Sequence, residues 1–284
     1  SRKKFTPRKG EKGGKMKKKL LGKVAVITGA SGGIGYSMAK YLYREGVKVY
    51  DISLVAEKHD EIEKNYSADV NDTKKVEEIL EEIYNENGHI DIFINNAGFG
   101  IAGAIEDASS EKIYSLVNTN LSAVIALSGV AIKYLKRSHG GRIVNTCSVG
   151  GIIPLPFQAT YSATKAGVEI FGRALANEVK PFNIKVTSIL PGDTKTGFTK
   201  NRIVENNGKD DNYRKNVEKS IKKVEKDEQT GKSPDSVGKM VVKILKKKNP
   251  PLRKTVGFWY KCAVFLPRIL PTWLINYIVN KLYC

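Results

Sequence analysis

The stretch "KVAVITGASGGIGYSMAKYLYREG", Lys23 to Gly46, decides the fold. It opens with an apolar, β-branched run, Val24 to Thr28, short enough for a buried strand. A glycine-rich turn follows, and then Ile34, Met38, Ala39, Leu42 and Tyr43 recur at helical spacing. Gly29, Gly33 and Gly35 therefore follow a strand and open a helix, with Ser31 in the same turn. Glycines there permit a tight turn and let backbone N–H groups approach a diphosphate at a helix N-terminus, where the dipole favours anions.

Outward from this unit the rhythm repeats. Strand-like runs recur at "VKVYDIS", "IDIFINNAG", "GRIVNTCS" and "IKVTSILPG", with helix-length segments between them. Strands alternating with helices imply βαβ units, and right-handed crossovers wind them into a parallel sheet covered on both faces. The expected fold class is α/β, a doubly wound, mostly parallel sheet in one domain over residues 16–248. "SPDSVGKMVVKILKKK" reads as a closing helix, with Ser233 as N-cap and Pro234 in its first turn.

The chain has 284 residues, 41% hydrophobic and 27% charged, which excludes a mainly disordered protein. Cys147, Cys262 and Cys284 show neither metal spacing nor a disulfide framework, which points to a reducing, cytoplasmic setting. His59, His89 and His139 are isolated, so no metal site is expected. The net charge of +19 is uneven, and residues 1–15 alone carry seven Lys/Arg against one Glu. That segment reads as a disordered basic leader or an appended remnant. Lysine clusters raise the question of nucleic acid, but no recognition motif accompanies them, so none is expected as a partner.

The second strand should end in a group that reads the adenosine ribose, and Asp51 in "VYDIS" is the candidate. A carboxylate there accepts hydrogen bonds from ribose hydroxyls and repels a 2′-phosphate, which favours NAD over NADP. Further on, Tyr161 stands four residues ahead of Lys165 in "YSATK", a spacing that shares a helix face. An ammonium beside a phenol favours the phenolate and lowers its pKa.

With the glycine turn, "NNAG", "NTNLSA", "TCS" and "YSATK" in this order, the chain resembles the short-chain dehydrogenase/reductase family, from about Lys23 to Gly192. Tyr161 lies thirteen positions after Ser148, as the family pattern requires. The resemblance implies a Rossmann-type fold and an alcohol–carbonyl interconversion. Tyr161 would be the general acid/base, and Lys165 would lower its pKa and bind the nicotinamide ribose. Ser148 would polarise the substrate oxygen, and Asn120 would position a water leading to Lys165. Gly29, Ser31, Gly33, Ile34, Gly35 and Asp51 would hold the phosphates and ribose. Asp69 and Val70 would meet the adenine, and Asn96, Ala97 and Gly98 would shape the adenosine side. Pro191, Gly192 and Thr196 would lie against the nicotinamide. In the family the ribose-reading acid usually lies about two residues later than Asp51, where Ser53 stands, so NADP remains the alternative. Members are commonly homo-oligomers.

The loop between Ser148 and Tyr161 offers Ile152, Ile153, Leu155 and Phe157, with Phe198 across from it. This lining suits a lipid-like or steroid-like carbonyl or alcohol. Residues 195–232, polar and lysine-rich after a strand end, read as a lid. The tail, 249–284, interleaves aromatic with basic residues; from Met240 to Cys284 there are nine Lys/Arg and no Asp or Glu. Its apolar runs are too broken to span a bilayer but suit the interface of an anionic membrane. The competing expectation is that the tail packs over the substrate site or a subunit interface. A catalytically silent, NAD-binding scaffold is the alternative function.

Overall fold

The computed structural model describes residues 19–205 and 211–284, so the basic leader lies outside the described residues. In chain order the elements are β1 (Val24–Thr28), α1 (Gly33–Arg44), β2 (Lys48–Ser53), β3 (Lys64–Ser67), α2 (Thr73–Asn87), β4 (Ile92–Asn95) and β5 (Ile101–Gly103). There follow α3 (Ser110–Val117), α4 (Ala123–Arg137), β6 (Gly141–Thr146), α5 (Ala159–Glu178), β7 (Ile184–Leu190) and β8 (Ile203–Glu205). The chain closes with α6 (Asp211–Gln229), α7 (Asp235–Leu245), β9 (Arg253–Thr255), α8 (Phe258–Phe265) and α9 (Thr272–Tyr283).

The main sheet has seven strands in the order β3-β2-β1-β4-β6-β7-β9, and every pairing is parallel. Strand order reverses between β1 and β4, which opens a crevice at the carboxyl ends of those strands. The period of two along β1 sends Val24 and Val26 to one face and Ala25 and Ile27 to the other. On the first face they meet Val76, Leu80 and Ile83 of α2 and Leu127 and Leu135 of α4. On the second they meet Met38 and Leu42 of α1 and Val237 and Val241 of α7. Asp72 caps α2 through the Lys75 N–H at 2.9 Å, and Ser109 caps α3.

The segment Ser110–Arg137 is long and apolar enough to cross a membrane by length and composition alone. Here it is one interrupted helix packed into the first core layer, and its interruption matters. Asn118–Ser122 forms a π-helical turn, which rotates Asn120 into the protein where it is fully buried.

Three departures from the sequence expectation are physical. β3 and β9 are edge strands reading "KNYS" and "RKT", so they lack the apolar run that marks a buried strand. β9 also ties the start of the basic tail into the main sheet beside β7, so residues 249–284 are not a separate appendage. α7 begins at Asp235 with Pro234 in the cap position, and Ser233 Oγ accepts from the Asp235 N–H at 3.2 Å.

Candidate active site

At the crevice the glycine turn is held by the neighbouring strand end. Asn96 Nδ2 donates to the carbonyls of Thr28 and Gly29, both at 3.0 Å, and Thr28 Oγ1 accepts from the N–H groups of Asn96 and Ala97. Helix α1 starts at Gly33 with no acidic side chain in its first turn, so its positive end faces the crevice without competition. A Cβ on Gly35 would stand 2.1 Å from the Gly29 carbonyl oxygen, so only glycine lets the helix begin this close to the turn. A cavity of about 910 Å³ runs from here along the strand ends. Gly29, Gly33, Ile34, Gly35, Asp69, Val70, Asn96, Ala97, Gly98, Pro191, Gly192 and Thr196 all line it. These residues and that volume fit a nicotinamide dinucleotide with room for a substrate beyond it.

Two expected cofactor contacts are corrected. Asp51 is completely buried and does not border the cavity; Ser53 and Leu54 do. Strand β2 runs through Ser53, so Asp51 lies two residues short of the strand end where the cavity opens. Its carboxylate is taken by the Ala30 N–H at 2.7 Å, Ser31 Oγ at 2.9 Å and Ser53 Oγ at 2.7 Å. Ser31 is likewise turned away from the cavity, donating to Asp51 and to the Val55 carbonyl. Asp51 therefore braces the glycine turn from behind.

At the other end of the turn Ser148, Tyr161 and Lys165 line one wall. Ser148 Oγ accepts from the Gly150 N–H at 3.0 Å and, with the Tyr161 ring, flanks Gly150. Lys165 Nζ donates to the Thr146 carbonyl at 3.0 Å and lies 5.9 Å from the centre of the Tyr161 ring. Burial pushes the phenol up to about 12, against the pull of the Ser148 hydroxyl. Burial also lowers the pKa of Lys165. The Lys165 amine is engaged behind the ring by Thr146, and desolvation is the largest influence on both groups. Asn120 sits one layer back. Its amide grips Phe99 from both sides, Nδ2 to the carbonyl at 2.8 Å and Oδ1 from the N–H at 3.1 Å. A Cβ on Gly98 would lie 2.8 Å from Asn120 Oδ1 and 3.6 Å from Lys165 Nζ, which places the two side chains around the same backbone.

Beyond Tyr161 the lining turns apolar. Ile153 and Leu155 contribute from the loop, whereas Ile152 and Phe157 do not reach the cavity. Phe198 stacks obliquely on Tyr161, ring centres 5.8 Å apart. The far walls come from Val224 and Glu228 of α6, Tyr260 and Ala263 of α8, and Ile275, Ile278, Val279 and Leu282 of α9. The tail therefore covers the substrate end, one of the two expectations for it. Tyr260 donates to Asp193 at 2.5 Å, and its ring lies where a Cβ on Gly192 would stand, 2.4 Å away. Burial raises the pKa of Asp193 and of Tyr260. Asp193, Arg202, Glu228 and Tyr260 escaped sequence reasoning. Glu228 had a signal: it continues the Val217, Ile221, Val224 stripe of α6, a carboxylate on the buried face.

A model of the short chain dehydrogenase family matches residues 23–207. The chain is similar to the 3-ketodihydrosphingosine reductase of Bacteroides thetaiotaomicron, 39% identical over 82% of this chain and 87% of that one. Among solved structures it resembles a short-chain dehydrogenase from Streptomyces avermitilis, with a TM-score of 0.75 at 24% identity, covering 92% of this chain and 94% of that one. It also resembles the 3-ketoacyl-(acyl-carrier-protein) reductase of Brucella melitensis, whose structure holds NADH: TM-score 0.70, 25% identity, 84% of this chain and 97% of that one. A match across most of the chain, on a crevice shaped for a nicotinamide dinucleotide, makes this protein a member of the short-chain dehydrogenase family of oxidoreductases.

Proposed function

We propose that this enzyme interconverts a secondary alcohol and a ketone on a long-chain, lipid-like molecule, with NAD as its cofactor. The observation that carries the reading is the apolar chamber beyond Tyr161, walled by the tail helices α8 and α9. The similar Bacteroides protein, named for a lipid ketone, supports it. When bound, the nicotinamide supplies or accepts the hydride. Tyr161 exchanges a proton at its hydroxyl, and Ser148 holds the substrate oxygen where charge develops. Lys165 contributes the positive charge and a ribose contact. Asn120 fixes the Phe99 backbone beside Lys165 and takes part in proton supply from behind the cavity.

NAD is favoured over NADP because Ser53 and Leu54 at the adenosine end are uncharged. Lys165 is the single Lys or Arg among the described residues that line the cavity, and it lies at the far end. A 2′-phosphate would meet no cation there, with the Asp51 carboxylate behind Ser53. The test is turnover of NADH and NADPH with straight-chain ketones of increasing length. Each buried methylene contributes about 0.8 kcal/mol, so kcat/KM should climb up to about fourfold per carbon until the chamber is full. Short hydrophilic ketones turning over as fast as long ones would sink the reading.

The outer face of the tail supports peripheral attachment to an anionic membrane. Trp259, Phe258, Trp273, Ile269 and Tyr277 are exposed there, on a segment with nine Lys/Arg and no acid from Met240 onward. The same helices wall the chamber, so an apolar substrate could pass from lipid into the site. Co-sedimentation with phosphatidylserine vesicles should fall when Trp259 and Trp273 become Ser; unchanged binding would refute attachment by this face. The exposed Ile125 of α4 and Ile170 of α5 support a homo-oligomer, and light scattering tests it directly.

A further inference from the structure

At the end of the sheet opposite the crevice, a second cavity of about 490 Å³ opens where β1, β4 and β6 begin. Lys19, Lys23, Arg142, Lys246, Lys247 and Lys248 line it, and Asp91 is the one carboxylate among its lining residues. The cations arrive from three places in the chain: just before β1, the start of β6 and the residues that follow α7. Strand β6 runs from Gly141 at this cavity to Thr146, whose carbonyl holds Lys165 at the crevice. At about 3.3 Å per residue the two ends lie roughly 17 Å apart, so this cavity is no extension of the cofactor groove.

Folding accounts for only part of this charge. Lys23 is paired with Asp91 at 2.7 Å, and the other Asp91 oxygen accepts from the Val24 N–H at 2.9 Å. Lys246 is paired with Glu45 at 2.7 Å. Lys19, Arg142, Lys247 and Lys248 have no carboxylate within ion-pair distance among the described residues. Helices α4 and α7 end at this cavity, and each C-terminus carries about half a negative charge, so together they offset about one of these cations. Arg142 is the most demanding of them. A guanidinium is a planar fork of N–H donors with no acceptor. Here Nη1 meets the Gly141 carbonyl at 3.1 Å, Nη2 meets the Lys247 carbonyl at 3.4 Å, and Nε is buried without a partner. Burial lowers its pKa, as for a charge taken from water with no anion beside it. A solvated lysine face is the ordinary reading of such a run, but a solvated face does not half-bury an arginine that lacks a counter-ion.

We propose that this cavity is a binding site for a soluble polyphosphate anion. Arg142 takes one phosphate with the remaining N–H of each Nη, a charge-assisted pairing, and Lys19, Lys247 and Lys248 take its neighbours. A single phosphate would leave cations at the other two places unmatched, whereas a chain of phosphates spans them. The anion is a soluble one because the aromatic face that suits a membrane belongs to α8 and α9, which wall the cavity at the other end of the sheet. Binding here is independent of the alcohol–carbonyl reaction.

The experiment is calorimetric titration of inorganic triphosphate into the full-length protein saturated with NADH, which keeps the glycine turn occupied. The wild type should bind one triphosphate, at least about tenfold more tightly than inorganic phosphate, and the affinity should fall as salt is raised. Arg142→Gln should weaken triphosphate about tenfold or more, and Lys247→Gln/Lys248→Gln several-fold, with NADH affinity and ketone turnover unchanged. Lys215→Gln/Lys222→Gln removes two charges from the exposed side of α6 and should leave triphosphate binding within about twofold. Should Arg142→Gln fail to fold, the exposed Lys247 and Lys248 pair decides alone. No binding of triphosphate by the wild type, or wild-type affinity in the cavity variants, would overturn the proposal. Equal weakening by the α6 variant would overturn it in favour of diffuse attraction to a basic chain. Binding only when NADH is absent would overturn it in favour of the glycine turn.

Discussion

The two ends of the cavity are made of different material. At the cofactor end the walls are largely backbone: the Gly29–Gly35 turn, the start of α1 and the Asn96–Gly98 strand end, locked together by hydrogen bonds of 2.9–3.0 Å. At the substrate end the walls are side chains from α6, α8 and α9, brought in from the last quarter of the chain. Backbone walls cannot yield without moving strands of the core, whereas side-chain walls repack. The contrast explains how one fold keeps a fixed cofactor while its substrate chamber is free to vary. It also gives each end its own way of failing.

Tyr161 stands at the junction, so removing its hydroxyl should spare both ends and stop the chemistry. Tyr161→Phe is expected to lower kcat by about 10²–10⁴-fold, the usual range for a positioned general acid/base. NADH affinity and long-chain ligand affinity should stay within about twofold. Equal turnover by wild type and variant would mean that Tyr161 is not the acid/base, and no turnover by either would leave the silent, NAD-binding scaffold.

A pair of glycine substitutions separates the ends next. In Gly35→Ala the new methyl lies 2.1 Å from the Gly29 carbonyl oxygen, a backbone atom of the turn that binds phosphate. Overpacking of this kind costs about 1–3 kcal/mol, and NADH affinity should fall by tenfold or more. In Gly192→Ala the methyl meets the Tyr260 ring at 2.4 Å, and a ring can swing. There KM for a long-chain ketone should rise several-fold, and NADH affinity should fall less than in Gly35→Ala. If both variants lose cofactor and substrate binding together, the two ends are one mechanical unit and the contrast is wrong.

The same division governs what could be read from the chain alone. The cofactor end was legible because each of its contacts lies within a few residues of a strand end, where a run of glycines serves close approach of the backbone to a ligand or to another turn. Even there a period-two strand misled: Asp51 and Ser53 share a face of β2, and only the strand's true end shows that Ser53 meets the cavity. The substrate end was barely legible. Glu228 lies in a lysine-rich stretch that reads as solvated, and its partner Arg202 is 26 residues earlier across a loop. Tyr260 and Leu282 became cavity walls only through tertiary packing of a tail whose outer face is also aromatic. Apolar residues on both faces of a short helix leave the sequence no way to say which face turns inward.

The smallest expected effect is a difference in how the ends respond to alkali. Burial pushes the phenols of Tyr161 and Tyr283, both lining the substrate end, up to about 12, whereas a phenol in the unfolded chain ionises near 10. Between those values the unfolded chain binds fewer protons than the folded one, so stability is intact below about pH 10 and falls as pH rises toward 12. Each such phenol contributes a slope of at most about 1.4 kcal/mol per pH unit, less where water screens it. No tyrosine lines the glycine-turn end of the cavity among the described residues, so ionisation should loosen the tail before the cradle. Hydrogen exchange followed from pH 9 to 11 should show protection lost first in α8 and α9, and Tyr283→Phe should postpone that loss. Simultaneous loss in α1 and α9 would mean that the tail and the glycine turn open as one cooperative unit, and the difference in material between the two ends would carry no mechanical consequence.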